Sequence, residues 1–197
     1  KMSVEDQFWK EADFHYNYEN YVRQASYTVA QFIKGHKPDF GIMLGSGLSY
    51  IAELVKDAKA IDYSEIPGFP TPQMPGHEGK LLVGRIEGVD VLCFKGRKHY
   101  YEMADEPFAN GIRKAAFPVH MLAELGVEKY FATNAAGGLN LDYRVGDMML
   151  IKSHINMIPN PLLGRHLYFN RVDDSKRVER FQPMDDAYDP KLRKLFL

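Results

Sequence analysis

Three short runs of this chain carry residue types whose spacing suits the holding of an anion. Phe40 to Leu44 is an apolar segment that ends in Gly45-Ser46-Gly47. Two glycines let the backbone turn sharply and present its N–H groups, and Ser46 adds a hydroxyl at the mouth of the helical pattern that follows. Such a turn can hold an oxyanion such as phosphate without a lysine. Gly96-Arg97-Lys98-His99-Tyr100-Tyr101-Glu102 follows a second apolar segment. Arg97 and His99 are two apart and share a side if the backbone stays extended. Arginine supplies a forked donor, histidine a second donor that titrates near neutral pH, and Glu102 is placed to orient the histidine. The same run also suits a solvated turn. Thr133-Asn134-Ala135-Ala136-Gly137-Gly138 puts small residues at the end of a third segment, where a ligand can lie against the backbone. His77 stands between glycines in Gly76-His77-Glu78-Gly79. Alone, it reads as structural or exposed, and no spacing of His, Cys, Asp and Glu resembles a metal site.

The elements that must position these runs follow from periodicity. Phe14, Tyr18, Tyr21, Ala25, Val29, Phe32 and Ile33 recur at helical spacing, so a single amphipathic helix is predicted over 15–34, closed by Gly35. Strands are predicted at 39–44, 80–86, 89–96, 129–134 and 147–152, with a short helix after the Gly-Ser-Gly turn. A further helix is predicted over about 108–125, with a disturbance at Pro118. Residues 66–79 hold four prolines and three glycines and read as a long loop. Residues 164–183 read as an exposed, mobile segment. The alternation predicts an α/β fold with a mixed central sheet flanked by helices, in one domain over 1–197. Anion sites then belong at the carboxyl ends of the strands.

Composition narrows the function classes. The chain has 197 residues, 45% hydrophobic and 26% charged, with a formal net charge of −1. That balance gives no electrostatic footprint for nucleic acid or for an acidic membrane. No apolar run is long enough to span a bilayer. One cysteine, Cys93, excludes an internal disulfide framework and points to the cytoplasm. Its apolar neighbours make it a buried residue rather than a nucleophile.

In combination and order, GSGL (45–48), PGHEGKL (75–81), GRKHYYE (96–102), ATNAAGGLN (132–140), VGDMMLIKSHIN (145–156), NPL (160–162) and MDDAYD (184–189) resemble the trimeric purine nucleoside phosphorylases. The Asn-Ala-Ala-Gly-Gly form is similar to the inosine–guanosine branch. The resemblance implies phosphorolysis of purine (deoxy)ribonucleosides to free base and (deoxy)ribose 1-phosphate. It implies that Ser46, Arg97, His99 and the backbone at Ala136 hold phosphate. It implies that His77 assists the phosphate, that Tyr101 lies against the ribose, and that Ala135, Ala136 and Gly137 line the nucleoside pocket. No metal or organic cofactor is implied. A homotrimer is, with a phenylalanine of a neighbouring subunit over the sugar; Phe169 and Phe181 are both open for that part. Methylthioadenosine phosphorylase is the alternative within the family, and a non-catalytic phosphate- or nucleoside-binding fragment the alternative outside it.

Asp189-Pro190 reads as an N-cap and first helical position, and Leu192, Leu195 and Phe196 begin a helical face. The run is short for a helix, so the domain is expected to continue past Leu197. By the family pattern the residues that recognise the purine lie there, and base preference is not readable from this chain.

Overall fold

Residues 3–72, 78–161 and 183–197 are described by a computed structural model. Two compact units divide the chain, Lys1–Ala135 and Ala136–Leu197. The first contains a five-stranded sheet of β1 (Phe40–Leu44), β2 (Lys56–Asp62), β3 (Lys80–Ile86), β4 (Val89–Lys95) and β5 (Lys129–Ala132), in the order β2-β3-β4-β1-β5. β1 runs parallel to β4 and β5, whereas β2, β3 and β4 form an antiparallel meander. With helices α1 (Val4–Tyr16), α2 (Tyr18–Phe32) and α3 (Asn110–Glu124), this is the mixed α/β architecture the alternation predicts.

Side chains alternate across the central strands, so β1 and β4 are apolar on both faces. On one face Leu44, Val91 and Cys93 pack with Ala52 and Val55, at the end of a 3-10 helix, Ser49–Leu54. On the other, Phe94 stacks on Phe69 at 5.9 Å, and Phe69 meets Phe117 of α3 edge-on at 5.8 Å. Phe14 of α1 and Tyr18 of α2 reach the same Phe117 ring. Burying each such side chain contributes on the order of 1.5–3 kcal/mol. The Tyr18 hydroxyl lies 2.6 Å from Nδ1 of buried His120, which satisfies the polar edge of the aromatic cluster.

Four differences from the periodicity reading have physical causes. The predicted helix over 15–34 is α2, Tyr18–Phe32, and a further helix that the periodicity reading missed, α1 over Val4–Tyr16, precedes it across a break at Asn17. Asn17 is the C-cap of α1, with φ −108° and ψ 18°, and its side-chain amide donates to Asp13 at 2.7 Å. Both helices feed one apolar cluster, so the hydrophobic stripe continues across the break. Helix α3 runs through Pro118 without ending. Strand β2 is missed because Lys56 to Asp62 is charge-rich. It is an exposed edge strand with a register shift between Lys56 and Lys59, and charged residues blunt such edges. Residues 147–152 form no strand; their backbone has no ladder partner among the described residues. The loop at 66–79 is described only in part, and 164–183 lies almost wholly outside the described residues.

The described residues of the second unit form turns and one short helix. Asn140 and Asp147 side chains accept backbone N–H groups of Asp142 and Arg144. The Tyr188 hydroxyl lies 2.9 Å from Nδ1 of His154. Helix α4 (Pro190–Lys194) starts at Asp189, whose carboxylate accepts the Lys191 and Leu192 N–H groups, as Asp-Pro predicts.

Asp90, at the start of β4, joins the chain entering β1 to the carboxyl end of β3. It accepts the Lys37 N–H at 3.0 Å, lies 3.1 Å from His36 Nδ1, and accepts Arg85 Nε at 2.9 Å. These bonds, the Lys37 N–H foremost, hold its carboxyl down at about 2. A depressed carboxyl stabilises the fold above its unfolded value and loses that contribution as pH falls through the folded one. Asp90→Asn is therefore expected to melt below wild type near neutral pH. The gap should close between about pH 4 and pH 2, as read by thermal unfolding at a series of pH values. A gap that stays constant over that range would contradict this role.

Candidate active site

The Gly45-Ser46-Gly47 turn leaves the carboxyl end of β1, where the backbone passes very close to the end of β5. A Cβ on Gly45 would stand 2.3 Å from the Thr133 carbonyl oxygen, so the position admits only glycine. Gly47 has φ +81°, a conformation that glycine adopts without strain. The Gly45 N–H donates to Thr133 Oγ1 at 2.9 Å, and the Thr133 N–H donates to the Met43 carbonyl at 3.0 Å. The N–H groups of Ser46 and Gly47 have no backbone acceptor among the described residues, and Ser46 is exposed.

Arg97 reaches the same point from β4. Its Nη1 donates to the Thr133 carbonyl at 2.8 Å, which leaves its other N–H groups for a ligand. The segment is anchored one residue earlier, where the buried Tyr63 hydroxyl donates to the Gly96 carbonyl at 2.8 Å. Arg97 and Lys98 also line a cavity of about 40 Å³ under Pro118 and Tyr130, with room for a few waters and not for an organic ligand.

His99 has extended backbone, and Glu102 accepts its N–H at 2.7 Å. His99 Nδ1 lies 3.1 Å from the same carboxylate oxygen. A carboxylate only accepts, so Nδ1 carries the proton. The His99 ring stacks on Tyr101 at 5.1 Å and 12°, and Tyr101 is 64% exposed. A tyrosine so open is available to a ligand surface.

The structure thus ties Gly45, Arg97 and Thr133 together and sets Ser46 beside them in the chain, with His99, Glu102 and Tyr101 as a second group a few residues on. Ala135 is exposed at the end of the first unit, and Asn134 Nδ2 donates to its carbonyl. Ala136 and Gly137 fall in the second unit, both exposed, with open space where a Gly137 side chain would be. His77, Phe169 and Phe181 lie outside the described residues. Thr133 and Tyr63 are the positioning residues that the motifs do not single out. A hydroxyl at a strand end was the available signal for the first. Nothing local marks the second. Cys93 is fully buried, and burial pushes its thiol up to about 11, so it is no nucleophile.

Because the Gly45 contact is with backbone, Gly45→Ala must displace Thr133. A loss of about 1–3 kcal/mol is expected from such overpacking, measured by denaturant unfolding. An unchanged midpoint would mean that β5 moves aside freely.

A family model described as the phosphorylase superfamily matches residues 39–197. The purine nucleoside phosphorylase 1 of Geobacillus stearothermophilus is 41% identical over 177 residues, which is 88% of this chain and 60% of that protein. The purine nucleoside phosphorylase of Bos taurus is 38% identical over 182 residues, 90% of this chain and 58% of that protein. Among solved structures, a Schistosoma mansoni purine nucleoside phosphorylase complexed with a monocyclic inhibitor superposes with a TM-score of 0.73 at 33% identity. It covers 89% of this chain and 61% of that one. The chain spans about three fifths of the length of these relatives. The matched residues take in the Gly45 turn, the Arg97 segment and Thr133 alike, and the chain belongs to the phosphorylase superfamily.

Proposed function

We propose that the protein is a purine nucleoside phosphorylase, a pentosyltransferase that uses phosphate to cleave purine (deoxy)ribonucleosides into free base and (deoxy)ribose 1-phosphate. The observation that carries this reading is the convergence of an open glycine turn and an anchored arginine on Thr133, in a chain about 40% identical to enzymes of that name. Ser46, Arg97, His99 and the Ala136 backbone would hold phosphate, with His77 assisting. Tyr101, Ala135, Ala136 and Gly137 would meet the nucleoside.

The chemistry fits these groups. As the base leaves, the sugar gains oxocarbenium character, as in glycoside hydrolysis. A phosphate dianion held against that face stabilises the charge and is already in position to attack. Its donors must orient it while leaving its charge available. One Arg97 fork shared with Thr133 and neutral hydrogen bonds from Ser46 and backbone suit that demand better than a cluster of lysines. His99, its Nδ1 proton directed at Glu102, presents a fixed ring edge rather than a freely rotating one. No enzyme nucleophile, metal or organic cofactor enters this scheme. A homotrimer, a cytoplasmic location and a role in purine salvage belong to the same proposal. No helix among the described residues is long and apolar enough to cross a membrane.

The test is a phosphate-dependent assay on the full-length protein with inosine, guanosine and methylthioadenosine. Cleavage of inosine or guanosine only when phosphate is present is expected. Cleavage of methylthioadenosine alone would move the protein to the sister activity, and binding without cleavage would make it a binding protein. Arg97→Ala should weaken phosphate about tenfold or more, since a hydrogen bond to a charged group is worth roughly 1.5–3 kcal/mol. Nucleoside affinity should change far less. Equal losses for both ligands would mean that Arg97 serves only to hold Thr133.

A further inference from the structure

Lys98 stands between Arg97 and His99, yet its side chain turns inward and is mostly buried. It begins a chain of alternating charges. Lys98 Nζ lies 3.9 Å from Glu106 Oε1, Glu106 Oε2 lies 2.8 Å from Lys114 Nζ, and Lys114 Nζ lies 2.6 Å from Glu11 Oε1. The other Glu11 oxygen accepts Asn110 Nδ2 at 2.7 Å, and Asn110 is fully buried at the start of α3. Four desolvated charges of alternating sign therefore run from α1, through α3 and the loop before it, to the backbone that carries Arg97 and His99.

A second contact joins the same elements. Phe108 and Ala109 both take left-handed backbone, φ 60° and 54°, which non-glycine residues rarely adopt. The Phe108 ring packs against Phe8, His15 and Tyr16, all on α1, at 5.4, 5.1 and 6.2 Å. Helix α1 thus holds the strained turn in place as well as closing the charge chain. It also lies outside the residues that the family model matches.

We propose that Glu11 is a positioning residue for the anion-binding segment, acting through Lys114, Glu106 and Lys98, so that the N-terminal helix sets phosphate affinity. This rests on the reading of Arg97 and His99 as phosphate ligands. With Glu11 neutral, Lys114 keeps Glu106 as its one anion among the described residues and draws it inward. The link to Lys98 is already the long one and opens. The freed lysine then pulls the 97–99 backbone out of register. A buried ion pair that loses one member leaves its partner uncompensated, so the rearrangement is driven rather than optional.

The experiment measures binding of inorganic phosphate to the full-length protein by calorimetry, for wild type, Glu11→Gln, Lys98→Met and the double variant, with KM for phosphate and nucleoside alongside. Glu11→Gln should weaken phosphate about fivefold or more, and the double variant should be no weaker than Lys98→Met alone, since residues in one network are not additive. Glu11→Asp should recover part of the loss. Additive effects, or equal rises in both KM values, would overturn the proposal and make Glu11 a purely structural residue. Should Glu11→Gln not fold, Glu11→Asp with and without Lys98→Met decides the same question. Wild type that binds phosphate but cleaves no nucleoside would overturn the enzyme assignment while leaving the phosphate comparison decisive. Wild type that binds no phosphate overturns both.

Discussion

Thr133 is the residue on which the candidate site depends. Its N–H donates to the Met43 carbonyl, its hydroxyl accepts the Gly45 N–H, and its carbonyl accepts Arg97. The polar groups of one residue thereby reach three neighbours, β1, the turn after β1 and the segment after β4, and the hydroxyl adds a second, longer bond to the Met43 carbonyl. A carbonyl at the end of a β-ladder would otherwise be left to water. Here it fixes the direction of a guanidinium. The absence of a side chain at Gly45 is what lets the two backbones approach closely enough for this to happen.

Around that point the sheet sets the reach of each group. β4 lies beside β1 in parallel register, Leu44 opposite Lys95, so both strands deliver their following residues to the same edge. β5 pairs on the other side of β1 and brings Thr133 alongside. This is the usual reason that ligands gather at the carboxyl ends of parallel strands. β3 runs against its neighbours and makes no such delivery, whereas β2, antiparallel to β3, ends at the same edge as β4. Both widen the sheet, and the turn after β2 places Tyr63, whose hydroxyl pins Gly96.

Electrostatics is divided between the two ends of the sheet and the helical layer. At the end of the sheet where β1 and β4 begin, Asp90 gathers the Lys37 backbone N–H, His36 and Arg85. In the helical layer, acidic and basic side chains alternate in a line that carries no surplus charge. Arg97 is outside that line, so its charge is not cancelled by a carboxylate there. Among the described residues this line pairs its own ions, and Arg97 is held by the Thr133 carbonyl rather than by a carboxylate.

How much of this was legible in the sequence depends on the range of the interaction. Four of the five strands follow from runs of apolar residues. The glycine turn and the cap at Asp189 follow from local residue chemistry as well. The motifs with Ser46, Arg97, His99 and Ala135 were legible because each is a short string of unusual residues at a strand end. The order of the strands, the break at Asn17 and the polar edge strand β2 were not. Each is settled by which surface a segment meets, and a one-dimensional pattern does not record its partner. Thr133 lies 88 residues from Gly45 and 36 from Arg97, and Glu11 lies 103 from Lys114. Sequence by itself gathered residue types suited to an anion at three strand ends. Only the tertiary structure decided that a strand-end threonine and an N-terminal glutamate hold those residues, because a hydrogen bond or an ion pair across such separations exists only once the chain has closed around it.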